Sequence, residues 1–115
     1  MPGVRNPMVI NGVPVVSAPA DVDVITGEKL RTVLLEAAAH GHATVVVDLT
    51  GTRICDSFGL QVLATAHRQA LDKGGEVRLV IPAESPVDRI LVLTGLDGFF
   101  PCFTSLDRAL AAPLP

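Results

Sequence analysis

The chain begins with two short apolar runs, "MVI" and "VPVV", separated by Asn11 and Gly12. Both central residues of a type I′ turn need positive φ, and Asn-Gly tolerates it, so residues 8 to 16 predict a β-hairpin. Pro14 has no N–H to give to a ladder, which places its strand at a sheet edge or at a bulge. From Thr26 the period changes. Leu30, Val33, Leu34, Ala37 and Ala38 recur at helical spacing, with Thr26 as the N-cap and Gly41 as the stop. "ATVVVDL" at 43 to 49 is β-branched and apolar at consecutive positions, the pattern of a central parallel strand covered on both faces.

A second helix is expected from about Ser57 to Lys73. Its apolar stripe is Leu60, Leu63, Ala64, His67, Ala70 and Leu71, and Gly74-Gly75 ends it. "EVRLVIP" at 76 to 82 alternates and reads as a strand closed by Pro82. "SPVDRILVLTG" predicts a compact helix, with Ser85 as N-cap, Pro86 at the first position, Asp88 in the first turn and Gly95 after the end. A short strand around Phe100 to Phe103 and a last helix opened by Thr104 or Ser105 close the chain. The order β-β-α-β-α-β-α-β-α predicts an α/β domain with a mostly parallel sheet, the hairpin adding an antiparallel edge. Such sheets meet ligands and partners at the loops beyond the carboxyl ends of strands, and "TGTRICDS" occupies that position after Leu49.

Composition narrows the function. At 115 residues, with 49% hydrophobic and 18% charged positions, the chain predicts one domain (1–115, core about 8–112) that folds without metal or disulfide. A net charge of −3, with nine scattered Lys plus Arg, lacks the basic footprint of a nucleic-acid binder. The four Phe are the only aromatics besides histidine, too few for a base-stacking platform. No apolar run approaches the roughly 18 residues of a membrane span, and no basic flank precedes an apolar block at the start. Cys55 and Cys102 are therefore expected as free thiols in the cytoplasm, and no cofactor is expected.

Catalytic constellations are weak. Ser57 and His67 are the right types for a nucleophile and its base, but ten positions on one helix separate them by roughly 15 Å. His67 also falls on the apolar stripe, where a packed imidazole is expected. His40 and His42 flank Gly41 without further ligands at metal spacing. No glycine pattern forms a phosphate cradle. A helix dipole would acidify Cys55, but Asp56 beside it opposes the shift, so a buried structural thiol is expected. These readings favour a binding module over an enzyme.

The segments "VVVDLTGTRICDSFGLQVL", "KGGEVRLVIP" and "VLTGLDGFF" together resemble the STAS-domain family, best known for bacterial anti-sigma-factor antagonists. The likeness covers nearly the whole chain. It rests on a central strand ending in Asp-Leu and on the family's Asp-Ser-Ser/Thr-Gly-Leu motif opening the next helix. "ADVD" at 20 to 23 is similar to the family's Gly-Glu-Leu-Asp, with Asp23 matching its last residue, and "TGLD" at 94 to 97 matches a later turn. The resemblance implies a STAS-like fold with helices packed mainly on one face of the sheet. It also implies partner switching with a kinase-type anti-sigma factor, as a monomer or weak homodimer, through Asp23, Asp56, Ser57, Phe58, Gly59 and Leu60. The family's phosphoacceptor position is Phe58 here, and Phe cannot accept phosphate.

Three consequences stay open on the sequence. Phe58 anchors the partner in a constitutive antagonist; or regulation moves to Ser57, Thr50 or Thr52; or Phe58 tucks against a neighbouring loop and other surfaces bind. Ser57 is expected to serve first as the N-cap of its helix. A different class of function, also implied by the resemblance, is a small-ligand or nucleotide sensor, or a scaffold subunit such as a transporter accessory subunit.

Overall fold

A computed structural model describes residues 7 to 115. Strands β1 (Met8–Ile10) and β2 (Val13–Ser17) form the hairpin, with Asn11 at φ 53° and Gly12 at φ 80° as a type I′ turn requires. A five-stranded sheet follows in the order β1-β2-β4-β6-β7, where β4 is Val45–Asp48, β6 is Val77–Val80 and β7 is Cys102–Phe103. Only the β1–β2 pair is antiparallel; the other pairs are parallel.

Contrary to the edge placement expected from Pro14, β2 lies between two strands. The proline is accommodated by register. Ile10 and Val13 close the two-residue turn, so alternation makes Val9 and Pro14 a non-hydrogen-bonded pair, while pairing with β4 starts one residue later at Val15. No ladder bond needs the missing N–H.

Helices α1 (Val24–Ala39), α2 (Ser57–Asp72) and α3 (Pro86–Thr94) cover one face of the sheet, and α4 (Leu106–Ala111) covers the other. Strand pleating divides the core accordingly. Val45, Val47, Val77 and Leu79 point to the three-helix side with Leu30, Leu34, Leu63 and Leu91, while Val13, Val15, Val46 and Val80 meet Ala109 opposite. Fully burying each such Val or Leu contributes about 1.5–3 kcal/mol, so the larger cluster dominates cohesion.

Several boundaries differ from the expectation. Strand β6 is buried at all four positions, so the alternation in its sequence does not mark a wet face. Its Arg78 is 1% exposed yet fully engaged. The guanidinium donates to Glu76 at 2.7 Å, to the carbonyls of Ala109 at 2.7 Å and Ala112 at 2.8 Å, and to Pro113, and it lies over the Phe103 ring. One buried cation thus ties α4 and the tail to the sheet. Leu71 is 51% exposed, and Val62 takes a place in the core stripe instead, because that stripe drifts around the helix. Helix α3 and α4 begin as expected at Ser85 and Ser105, whose side chains accept from the N–H groups of Asp88 and Arg108.

Two strands escaped the pattern altogether. Residues Asp21–Val22 (β3) and Ile54–Cys55 (β5) pair in parallel as a separate two-stranded sheet. At two residues each they are too short to show a period.

Candidate functional site

The small sheet sets the geometry of the motif. Its register pairs Asp21 with Ile54 and Val22 with Cys55, so the next residues, Asp23 and Asp56, emerge side by side, and each is the N-cap of a helix. The Asp56 N–H donates to the Val22 carbonyl at 3.0 Å, and the N–H groups of Arg53 and Ile54 both donate to Ala20. Residues 20 to 23 and 53 to 56 are therefore stitched together, and the N-termini of α1 and α2 open on one surface.

The caps differ from those expected. Asp23, not Thr26, caps α1: its Oδ1 accepts from the N–H groups of Ile25 and Thr26, each at 3.0 Å. Thr26 supplies the return bond, accepting the Asp23 N–H at 3.0 Å and donating its hydroxyl to the Asp21 carbonyl at 2.8 Å. The Thr26 N–H, aided by the Thr26 hydroxyl and the Ile25 N–H, holds the Asp23 carboxyl below its ordinary value. In α2 the cap is Asp56, not Ser57, because the Asp56 Oδ1 takes the Gly59 N–H at 2.9 Å. Ser57 becomes the first helical residue. It is exposed, and its hydroxyl has no hydrogen-bond partner among the described residues.

Gly59 and Phe58 lock the two helices. A Cβ on Gly59 would lie 2.6 Å from Val22 Cγ1 and 3.0 Å from Cys55 Sγ, so only glycine lets α2 press against β3 and β5. Leu60 is buried in the main core. Phe58 is half-buried, with its ring on α1: a Cβ on Gly27 would meet ring carbon Cδ2 at 2.9 Å. The ring rests on a helix, not on a loop, and its outer part stays on the surface.

The other hydroxyls of the loop are committed. Thr52 is 2% exposed and donates to the Pro19 carbonyl at 2.8 Å. Thr50 donates to Asp48 at the end of β4. Burial, with Asp56 adding to it, pushes the Cys55 thiol up to about 11, which makes it the inert structural thiol expected from the sequence. His67 is likewise packed: its Nδ1 accepts the Val77 N–H at 3.0 Å, and its ring meets Phe99 edge-on at a centroid distance of 5.0 Å. Burial lowers its pKa, against smaller opposing effects of Glu76 and the Phe99 backbone.

Around the paired N-termini stand apolar residues the sequence reading missed. Val24 is 58%, Ile25 71% and Ile54 54% exposed. Val24 and Ile25 precede the core stripe of α1, and their lying outside it was the available signal. Among the described residues, no group of His, Cys, Asp and Glu could hold a metal, and no helix is long and apolar enough to cross a membrane.

A family model described as "STAS domain" matches residues 6–109. The chain is 33% identical over 101 residues to the anti-sigma-F factor antagonist RsfB of Mycobacterium tuberculosis, covering 87% of this chain and 80% of that one. A crystal structure of an anti-sigma factor antagonist from Mycobacterium paratuberculosis superposes with a TM-score of 0.77 at 28% identity, over 94% of this chain and 92% of that one. The phosphorylated form of the Bacillus cell fate determinant SpoIIAA shares the fold, with a TM-score of 0.69 at 17% identity over 94% and 96% of the two chains.

Proposed function

Since the chain belongs to the STAS-domain family, we propose that it is an anti-sigma-factor antagonist that docks a kinase-type anti-sigma factor on the joined N-termini of α1 and α2. The observation that carries this reading is the surface itself. Val24, Ile25 and Ile54 expose apolar side chains beside Asp23, Asp56 and Ser57, on segments joined by the β3–β5 pair. Exposed apolar groups ringed by polar ones are the composition of a protein-binding patch, and a small number of them commonly supply most of the affinity.

Position 58 is closed to phosphorylation. Phe58 serves as a strut between helices and presents only part of its ring to a partner, so the antagonist stays competent when the kinase holds ATP. Ser57 is the one hydroxyl of residues 50 to 60 that is both exposed and uncommitted. A phosphate there would add about −1.5 to −2 charge beside Asp56, so its detection would replace the constitutive reading with a displaced switch. The two free cysteines support action in a reducing compartment, the cytoplasm.

Binding of purified kinase-type anti-sigma factor to Ile25→Glu and Ile54→Glu variants tests the surface. Both side chains are exposed, so melting temperature should hold while affinity falls about tenfold or more, roughly 1.4 kcal/mol. Wild-type affinity in both variants places the docking surface elsewhere.

A further inference from the structure

Bordering that surface at Phe58 and running away from it, a groove of about 320 Å³ lies along α1 and α2, within the roughly 300–1,000 Å³ of small-ligand sites. Its floor is the buried Leu34, Val45 and Val77, and alanines at 38, 66 and 70 keep its walls low. Phe58 and Gln61 close one end, and His42 and Lys73 stand at the other.

The charged end is fixed by backbone contact. A Cβ on Gly75 would lie 1.9 Å from the Ala43 carbonyl oxygen, and the Val45 N–H donates to the Glu76 carbonyl at 3.1 Å. The loops carrying His42 and Lys73 are thereby clasped at one mouth. Neither side chain has an ion-pair or hydrogen-bond partner among the described residues. Of the other charges, Arg31 is paired with Glu28 at 2.7 Å and the Glu76 carboxylate is held by Arg78, while the exposed Asp72 beside Lys73 does not line the groove. Within its lining the mouth therefore offers one permanent cation without an ion pair beside an imidazole, and the floor behind it is apolar.

We propose that this groove binds an amphipathic monoanion of the fatty-carboxylate type, its head at Lys73 and His42 and its chain lying between α1 and α2 toward Gln61. The distance along α2 from Lys73 to Gln61 is about 18 Å at 1.5 Å per residue, which accommodates an extended medium-length alkyl chain. The apolar floor supplies affinity and the single cation supplies orientation.

Titration of the full chain with dodecanoate below its micelle concentration, followed by calorimetry and amide chemical shifts, tests the proposal. The expected result is saturable one-to-one binding with shifts at Val45, Ala66, Ala70 and Val77, and affinity for dodecyltrimethylammonium weaker by about tenfold or more. Lys73→Glu, at an exposed position, should lose about tenfold in dodecanoate affinity with unchanged melting temperature. Ala70→Leu, which fills the groove, should abolish binding. The proposal is overturned if dodecanoate does not saturate, if the cationic analogue binds equally well, or if Lys73→Glu binds as the wild type. No partner protein enters this experiment, so its outcome is independent of the antagonist reading.

Discussion

The N-termini of α1 and α2 are neighbours capped by the same residue type, yet they are built to different degrees of completion. At α1, Asp23 takes two backbone N–H groups and Thr26 returns a bond to the Asp23 N–H, so in the first turn the Val24 N–H alone lacks a partner among the described residues. At α2, Asp56 takes only the Gly59 N–H, and the N–H groups of Ser57 and Phe58 have no partner among the described residues. The first end is an anchor. The second keeps donors, a hydroxyl and part of an aromatic ring available to whatever lands beside Ile25 and Ile54. A helix start that is incompletely satisfied by its own chain is one that a partner can complete.

The largest effect should come from displacing α2. Gly59→Val would drive carbon into Val22 and Cys55 and is expected to cost about 1–3 kcal/mol in denaturant unfolding, by overpacking. Unchanged stability would mean that the contact between α2 and the small sheet is loose. Next come the caps themselves. Asp56→Ala should cost about 1 kcal/mol, the ordinary value of one N-cap, and Asp23→Ala should lower the unfolding midpoint further because it removes two bonds and the frame of a third. Equal losses would erase the asymmetry between the two ends.

Acid titration separates them in another way. The folded Asp23 carboxyl titrates below its ordinary value, so as pH falls the unfolded chain takes up the proton first and the native state loses stability. That contribution is complete above about pH 4 and disappears as pH drops through the lowered folded value. Asp23→Asn should flatten this part of the pH–stability profile; an unaltered slope would show that the cap carries no charge-dependent stabilisation. The smallest effect is expected at Ser57→Ala, within about 0.5 kcal/mol, since the hydroxyl caps nothing.

What the sequence disclosed was set by local chemistry. The Asn11-Gly12 turn, Ser85 with Pro86, and Gly95 at φ 75° act within a few residues of themselves, and each was found where its pattern placed it. Features that depend on distant chain were hidden. Arg78 looks like an ordinary outward position of an alternating strand until residues 109 to 113 supply its acceptors. The β3–β5 pair needs its partner to exist at all, and with it came the correct caps: Thr26 and Ser57 were plausible by type, but the strand register delivers Asp23 and Asp56. The motif was legible as a motif. That Phe58 lies on Gly27 required the packing of two helices to be seen.

The proposed docking surface is one that position 58 cannot switch off. Its most direct test is to form the complex of this chain with a purified kinase-type anti-sigma factor, add ATP and magnesium, and follow both the complex and the mass of the chain. The complex should form and persist, with no phosphate on the chain. Failure to form a complex, or its dissolution as phosphate appears on Ser57, would contradict it.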